Sequence, residues 1–180
     1  NNFIVGPQKD YGGSALNDFA ADDAGGIVLD YTPAINELEP NALRQSGARL
    51  GKFSFQQFGR PDQSNDFPIV RLGDVMLMYA EAKMRAAGNW NDAEGLDAVN
   101  QIRSRAGVSA YSSMTEAEFL AERGREMFQE SSRRTDQIRF GVYNSGSWWE
   151  KTASPAHKSV FPIPFDVIQS APGYSQNAGY

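Results

Sequence analysis

Apolar residues recur at helical spacing through one stretch, Arg71 to Ala87 (RLGDVMLMYAEAKMRAA). Leu72, Val75, Met76, Tyr79, Ala82 and Ala86 share one face of a 3.6-residue period. Leu77, Ala80, Met84 and Ala87 share a second, and only Asp74, Glu81 and Arg85 mark a polar stripe. A helix apolar on nearly all sides is expected at the centre of a domain, buried all round. At seventeen residues with several charges it is too short and too polar to span a bilayer.

The pattern then repeats with punctuation. Gly88 is placed to stop the first helix, and Asn91, with Glu94 three residues on, is placed to cap a second. That helix is expected to run to about Ala106, with Leu96, Val99, Ile102 and Ala106 inward. So short a loop makes the two an antiparallel hairpin. Thr115 and Glu118 form a capping box for a third helix, stapled by Met114 and Phe119. Arg133 to Phe140 predicts one more short helix. Gly124, inside the third helix, predicts a close backbone approach from a neighbour.

The flanks read differently. Residues 1–50 are broken by Gly12-Gly13, Gly25-Gly26, Pro33 and Pro40, with room for a short helix between Ile35 and Arg49. Phe53 and Phe55 alternate with polar neighbours, as in a short strand, with Phe58 close by. Asp18, Asp22 and Asp23 cluster, but their spacing fits no calcium loop, and a solvated acidic loop is the reading. The tail, Phe161 to Tyr180, has too many prolines and glycines for a long helix and too many apolar residues for a solvated end. It is expected to dock on the core with Phe161 and Ile163 buried, and to make one helical turn after Pro164.

The pattern therefore predicts an all-α fold of stacked helical hairpins, tetratricopeptide-like in architecture, with long irregular loops and a docked C-terminal tail. Residues 1–70 form a loop-rich segment expected to pack on the core, and residues 71–180 the helical region.

Composition changes this picture little. The 180 residues carry a net charge of −5 and no dominant basic patch, which argues against a nucleic-acid partner. The absence of cysteine removes disulfides, thiolate nucleophiles and Cys-based metal sites. The lone His157 has no neighbour with which to build a metal site or a triad. No cofactor is expected, since no glycine-rich phosphate loop follows a strand. The opening residues read as mid-protein sequence, so the chain is expected to be a fragment or a processed piece.

Two clusters carry candidate chemistry. Glu122, Glu126 and Glu130 fall at i, i+4 spacing and repel unless cations answer them. Arg103, Arg105, Arg123, Arg125, Arg133, Arg134 and Arg139 are nearby in sequence. The expectation is an ion-pair network, with Arg103 and Arg133 among its members, that clamps helices together, with Glu126 and Glu130 each meeting an arginine. A glycosidase carboxylate pair is the competing reading; it needs one acid with a raised pKa, which arginine neighbours oppose. Trp148 and Trp149 lie in a Gly- and Ser-bounded loop, SGSWWEK. Exposed indoles stack on sugar rings, so these two are the candidate ligand-binding residues, against the alternative that one or both plug the gap between the last helix and the tail. Trp90 is expected to pack over helix ends.

Five segments in order carry a resemblance: RLGDVMLMYAEA (71–82), VNQIRSRAGV (99–108), ERGREMFQESSRRTDQIRFGVY (122–143), FPIP (161–164) and QNAGY (176–180). Together they resemble the C-terminal part of SusD/RagB-like nutrient-binding outer-membrane lipoproteins of Bacteroidetes. Gly73, Ser131-Ser132 and Ala178 depart from the usual pattern without removing a charged or aromatic signature residue. The resemblance implies a non-enzymatic protein that captures oligosaccharide or peptide on the cell-surface face of the outer membrane. It implies a TonB-dependent, SusC-like transporter as partner, and contact with the membrane only through an N-terminal lipid anchor absent from this chain. It also implies that most glycan-contacting residues lie upstream and that Tyr180 is at or near the natural C-terminus. A helical-repeat adaptor that binds protein is the alternative function.

Overall fold

A computed structural model describes residues 2–19, 26–38, 40–53, 59–60 and 62–180. The chain divides into two compact units, Asn1–Asp66 and Phe67–Tyr180.

The first unit holds three antiparallel pairs of two-residue strands. β1 (Phe3–Ile4) pairs with β6 (Arg49–Leu50), β2 (Gly6–Pro7) with β5 (Asp30–Tyr31), and β3 (Asn17–Asp18) with β4 (Ile27–Val28). The helix expected between Ile35 and Arg49 does not form. The described part of that stretch is turns and bends ending in β6. Asn36 organises it instead, accepting from Leu43 N–H and donating to the Asn41 carbonyl. Such side-chain bonds compete with helix formation. Asp18 is buried against Arg44 rather than solvated. Asp22, Asp23, Phe55 and Phe58 lie outside the described residues, and Phe53 sits in a bend.

The second unit is helical: α1 (Leu72–Ala87), α2 (Ala93–Arg105), α3 (Glu116–Glu126), α4 (Arg133–Arg139) and α5 (Phe165–Ser170), with a 3-10 turn at Ala156–Ser159. The protein is thus mostly α-helical, with its strands confined to the first unit. Gly88 ends α1 in a left-handed conformation that a Cβ would disfavour, φ 59°, so α1 and α2 form two helices, not one. The N-cap of α2 is Asp92, which accepts from Gly95 N–H, and not Asn91. Asn91 is engaged elsewhere: its Oδ1 accepts from Met114 N–H at 2.6 Å and ties the hairpin loop to the start of α3. The Thr115–Glu118 capping box forms with both bonds.

The core of this unit is Leu77, Ala80 and Met84 of α1, Val99 and Ile102 of α2, and Met114, Phe119 and Met127 around α3. Trp90 packs on it, its ring 5.4 Å from Phe119 and 5.8 Å from Phe140. α1 is not buried all round. Its Leu77 face is buried, whereas Leu72, Val75 and Tyr79 on the opposite face are exposed. The approach at Gly124 is made by a side chain, not a backbone: a Cβ there would stand 2.8 Å from Arg133 Nη1.

The tail is ordered, with α5 starting after Pro164. Phe161, however, is 69% exposed and Ile163 only partly buried. Order comes from polar bonds instead. Gln176 brackets Ile163, accepting from its N–H and donating to its carbonyl (2.8 and 2.9 Å). Asn177 donates to the Phe161 carbonyl and Tyr180 Oη to the Val160 carbonyl. His157 stands edge-on to Tyr180, 4.9 Å away, an aromatic packing contact.

Candidate functional site

The tryptophan loop grows from the end of α4. The chain turns back at Val142 and Tyr143, whose N–H groups both donate to the Gln137 carbonyl. Asn144 then closes the base of the loop. Its carbonyl accepts from Ser154 N–H at 2.8 Å, its Nδ2 donates to Ser159 Oγ at 2.5 Å, and its Oδ1 accepts from Ser154 Oγ. Arg134 of α4 adds a second tie, donating to the Lys158 and Ser159 carbonyls while covering the rings of Tyr143 and Phe161.

At the tip, Trp148 and Lys151 exchange two backbone bonds, 3.0 and 2.7 Å. Trp149, inside that turn, has φ 37°. A bulky residue in the left-handed region costs of order 1–3 kcal/mol and persists only where its surroundings impose it. The Lys151 ammonium stands 4.7 Å over the Trp148 ring and donates to the Gly146 and Thr152 carbonyls. Both indoles remain about half exposed, 56% and 54%. The arrangement is a small, anchored loop that presents two aromatic surfaces to solvent, with one cation fixed beside them.

A network of carboxylates and arginines links the helices. Arg139 takes both Glu81 oxygens at 2.8 and 2.9 Å, and also reaches Asp136. Arg123 joins Asp136 to Asp74, at 2.8 and 2.9 Å. Arg103 and Arg125 share Glu122 Oε2, each at 2.5 Å. Glu126 is held by Arg71 and Arg105, and Glu130 by Arg71 at 2.7 Å. Glu130 is not on α3, which ends at Glu126. It sits in the following turn between Gln129 and Ser131, both left-handed, so the i, i+4 row of glutamates is not one helical row. Arg133 also departs from expectation, donating to the Leu120 carbonyl rather than to a glutamate.

Electrostatics follow from this geometry. Burial pushes the Glu81 carboxyl up, but bonds from Arg139 and Arg85 outweigh it and hold the group below the ordinary carboxylate value. The bond to Glu130 keeps the Arg71 guanidinium charged well past its usual range, and that to Glu81 does the same for Arg139. Glu81 is therefore an ionised clamp and a poor general acid. Among the described residues no group of acidic or His side chains is placed to hold a metal, and no helix is long and apolar enough to cross a membrane.

Sequence reasoning named Glu122, Glu126, Glu130 and the arginines around them, Arg123 and Arg139 included, but missed Arg71, Asp74, Glu81 and Asp136 as the joints between elements. Arg71 and Glu130 lie 59 residues apart, and Arg139 and Glu81 58, so no local spacing signals the pairs. The available sign was the narrow polar stripe of α1, which carries Asp74 and Glu81.

Comparison with known proteins completes the picture. The starch-binding protein SusD of Bacteroides thetaiotaomicron is 33% identical over 162 residues, covering 85% of this chain and 27% of the relative. A SusD-like protein of Bacteroides ovatus is 33% identical over 96 residues, 47% of this chain and 18% of that one. The chain thus spans about a quarter or less of the length of these relatives. Among solved structures, surface glycan-binding protein A from Bacteroides uniformis superposes with a TM-score of 0.53 at 25% identity, covering 63% of this chain and 28% of that one. A SusD superfamily protein from Parabacteroides distasonis gives 0.48 at 31% identity, over 60% of this chain and 26% of its own. The SusD family model matches residues 38–160, well over half of the sequence, and the chain belongs to the SusD family.

Proposed function

We propose that this protein captures nutrient oligosaccharide, without chemical conversion, at the outer surface of a bacterial outer membrane and passes it to a TonB-dependent, SusC-like transporter. A peptide ligand is the variant of the same reading. The observation that carries it is the pair of half-exposed indoles, Trp148 and Trp149, on a loop anchored at its base by Asn144 and Arg134. Aromatic faces stack on the C–H faces of sugar rings, and a loop fixed before binding loses less entropy on capture. The named relatives are a starch-binding and a glycan-binding protein, which supports the ligand class. Residues 71–180 then form a helical platform and residues 1–70 a separate loop-rich segment, with the membrane reached only through an N-terminal lipid anchor outside this chain.

Affinity electrophoresis through gels containing soluble starch, xylan or galactomannan tests the reading. The wild-type chain is expected to be retarded by at least one polysaccharide, and Trp148→Ala with Trp149→Ala to be retarded markedly less, with an unchanged melting temperature. Retardation equal to that of the wild-type chain after both substitutions would remove the tryptophans from the site. A protein-binding adaptor is the second reading. It is favoured by the exposed apolar stripe of α1, Leu72, Val75 and Tyr79, which suits a protein partner such as the transporter.

A further inference from the structure

The first unit contains a cavity of about 320 Å³ lined by Asn17, Asp18, Leu29, Tyr31, Arg44 and Arg49. It lies apart in sequence from the tryptophan loop. Its volume is at the lower end of the ~300–1,000 Å³ of small-molecule sites, room for one or two sugar rings rather than a long chain.

The walls are fixed by contacts distant in sequence. The β3–β4 pair positions Asn17 and Asp18, and the β2–β5 pair positions Tyr31. Gln45 secures the strand leading to Tyr31, its Oε1 accepting from Asp30 N–H and its carbonyl from Thr32 N–H. Arg44 reaches across 26 residues, with Nε and Nη2 facing the two Asp18 oxygens at 3.2 and 3.3 Å. Arg49 donates to the Ser46 and Gly47 carbonyls and lies 4.4 Å over the Tyr31 ring, which holds the phenol in one orientation. The polar groups are thus in place before anything binds, the arrangement that reduces the entropy cost of binding.

The chemistry of the lining selects a ligand class. A carboxylate only accepts hydrogen bonds and a guanidinium only donates them. Side by side they match a vicinal diol, one hydroxyl donating to Asp18 and its neighbour accepting from Arg44. The exposed Asn17 amide offers one donor and one acceptor to a third hydroxyl. Leu29 and the Tyr31 ring give the apolar wall that a sugar's C–H face needs. Asp18 already neutralises Arg44, and Arg49 is taken up by the Ser46 and Gly47 carbonyls, so the pair suits a neutral guest better than an anion. We propose that this cavity is a second saccharide subsite, which takes a neutral pyranose through a vicinal diol held between Asp18 and Arg44. It rests on the glycan-capture reading above and adds a contact away from the tryptophans.

The test is a titration of the ¹⁵N-labelled chain with maltoheptaose, cellohexaose, xylohexaose and mannohexaose, followed by amide shifts. At least one sugar is expected to move the signals of Asn17, Asp18, Tyr31 and Arg44 saturably. Asn17→Ala and Asp18→Asn are expected to weaken that transition about tenfold, the loss of one good hydrogen bond. Trp148→Ala should leave it in place. Asn17 is exposed and β3 is joined to β4 through backbone groups, so Asn17→Ala decides the matter even if Asp18→Asn fails to fold. Shifts confined to the tryptophan loop would overturn the subsite and leave glycan capture standing. Shifts nowhere, with any of the four sugars, would overturn both. Shifts at the cavity with inorganic phosphate but with no sugar would overturn the subsite in favour of an anion site.

Discussion

The helical core and the tail of the second unit are both ordered, and for opposite reasons. In the core, Phe119 is fully buried, with Leu77, Met84 and Val99 around it, and carboxylates are bonded to arginines between helices. In the tail, Phe161 and Phe165 face solvent, and the chain is held by side chains that bond backbone groups, Gln176 at Ile163 and Asn177 at Phe161. Burial drives the first region, and polar bonds fix the path of the second. A breaker-rich, apolar segment can therefore be ordered without being buried, leaving its aromatic surface for another role.

The comparison breaks most clearly at Phe119. Phe119→Ala is expected to lower stability by about 3–5 kcal/mol in a urea titration, the range for a buried Phe that leaves a cavity. A loss as small as that expected in the tail would mean the core is not the stabilising region.

Next is Arg71, which bonds Glu126 and Glu130 with a side chain about one quarter exposed. Arg71→Ala is expected to cost about 2–3 kcal/mol, below the full penalty for a broken buried pair because Arg105 still meets Glu126. The same network sets the acid limit. The folded-state pKa of Glu81 lies below its ordinary 4.5. Its contribution is fully present above that value and is lost as pH falls through the folded one. Denaturation midpoints should stay level from about pH 7 to about pH 5 and drop below about 4.5. A midpoint that rises on acidification would contradict the clamp.

Thr115→Ala removes the α3 capping box and is expected to cost about 1 kcal/mol, measured by thermal melting. Phe161→Ala sharpens the contrast from the other side. The residue is exposed and meets the Arg134 guanidinium 4.0 Å from its ring, so the cost should stay below about 1 kcal/mol. Truncation that leaves Phe161 but removes Gln176 to Tyr180 should loosen the tail more, seen as faster amide exchange at Ile163.

What could be read from residue order was what is decided within a turn or two of chain. Gly88, the Thr115–Glu118 box and Pro164 act on neighbours three or four residues away, and the helices begin or end at them. The tryptophan loop was visible because Gly and Ser bracket it. The strands of the first unit were not, since two-residue pairs carry no period, and the subsite proposed there depends on pairs such as Asp18 with Arg44.

The sequence alone determined the class of the protein: amphipathic helices joined by short, capped loops, with family segments in order. Only the tertiary structure decided which side of α1 is buried. Both its faces are apolar, so periodicity offers two answers, and contact with α2 and α3 selects the Leu77–Ala80–Met84 side. It likewise decided that Glu130 meets Arg71 and Arg139 meets Glu81. Long side chains can reach many partners of the right charge, and which one they meet is fixed by where helices distant in sequence are brought together.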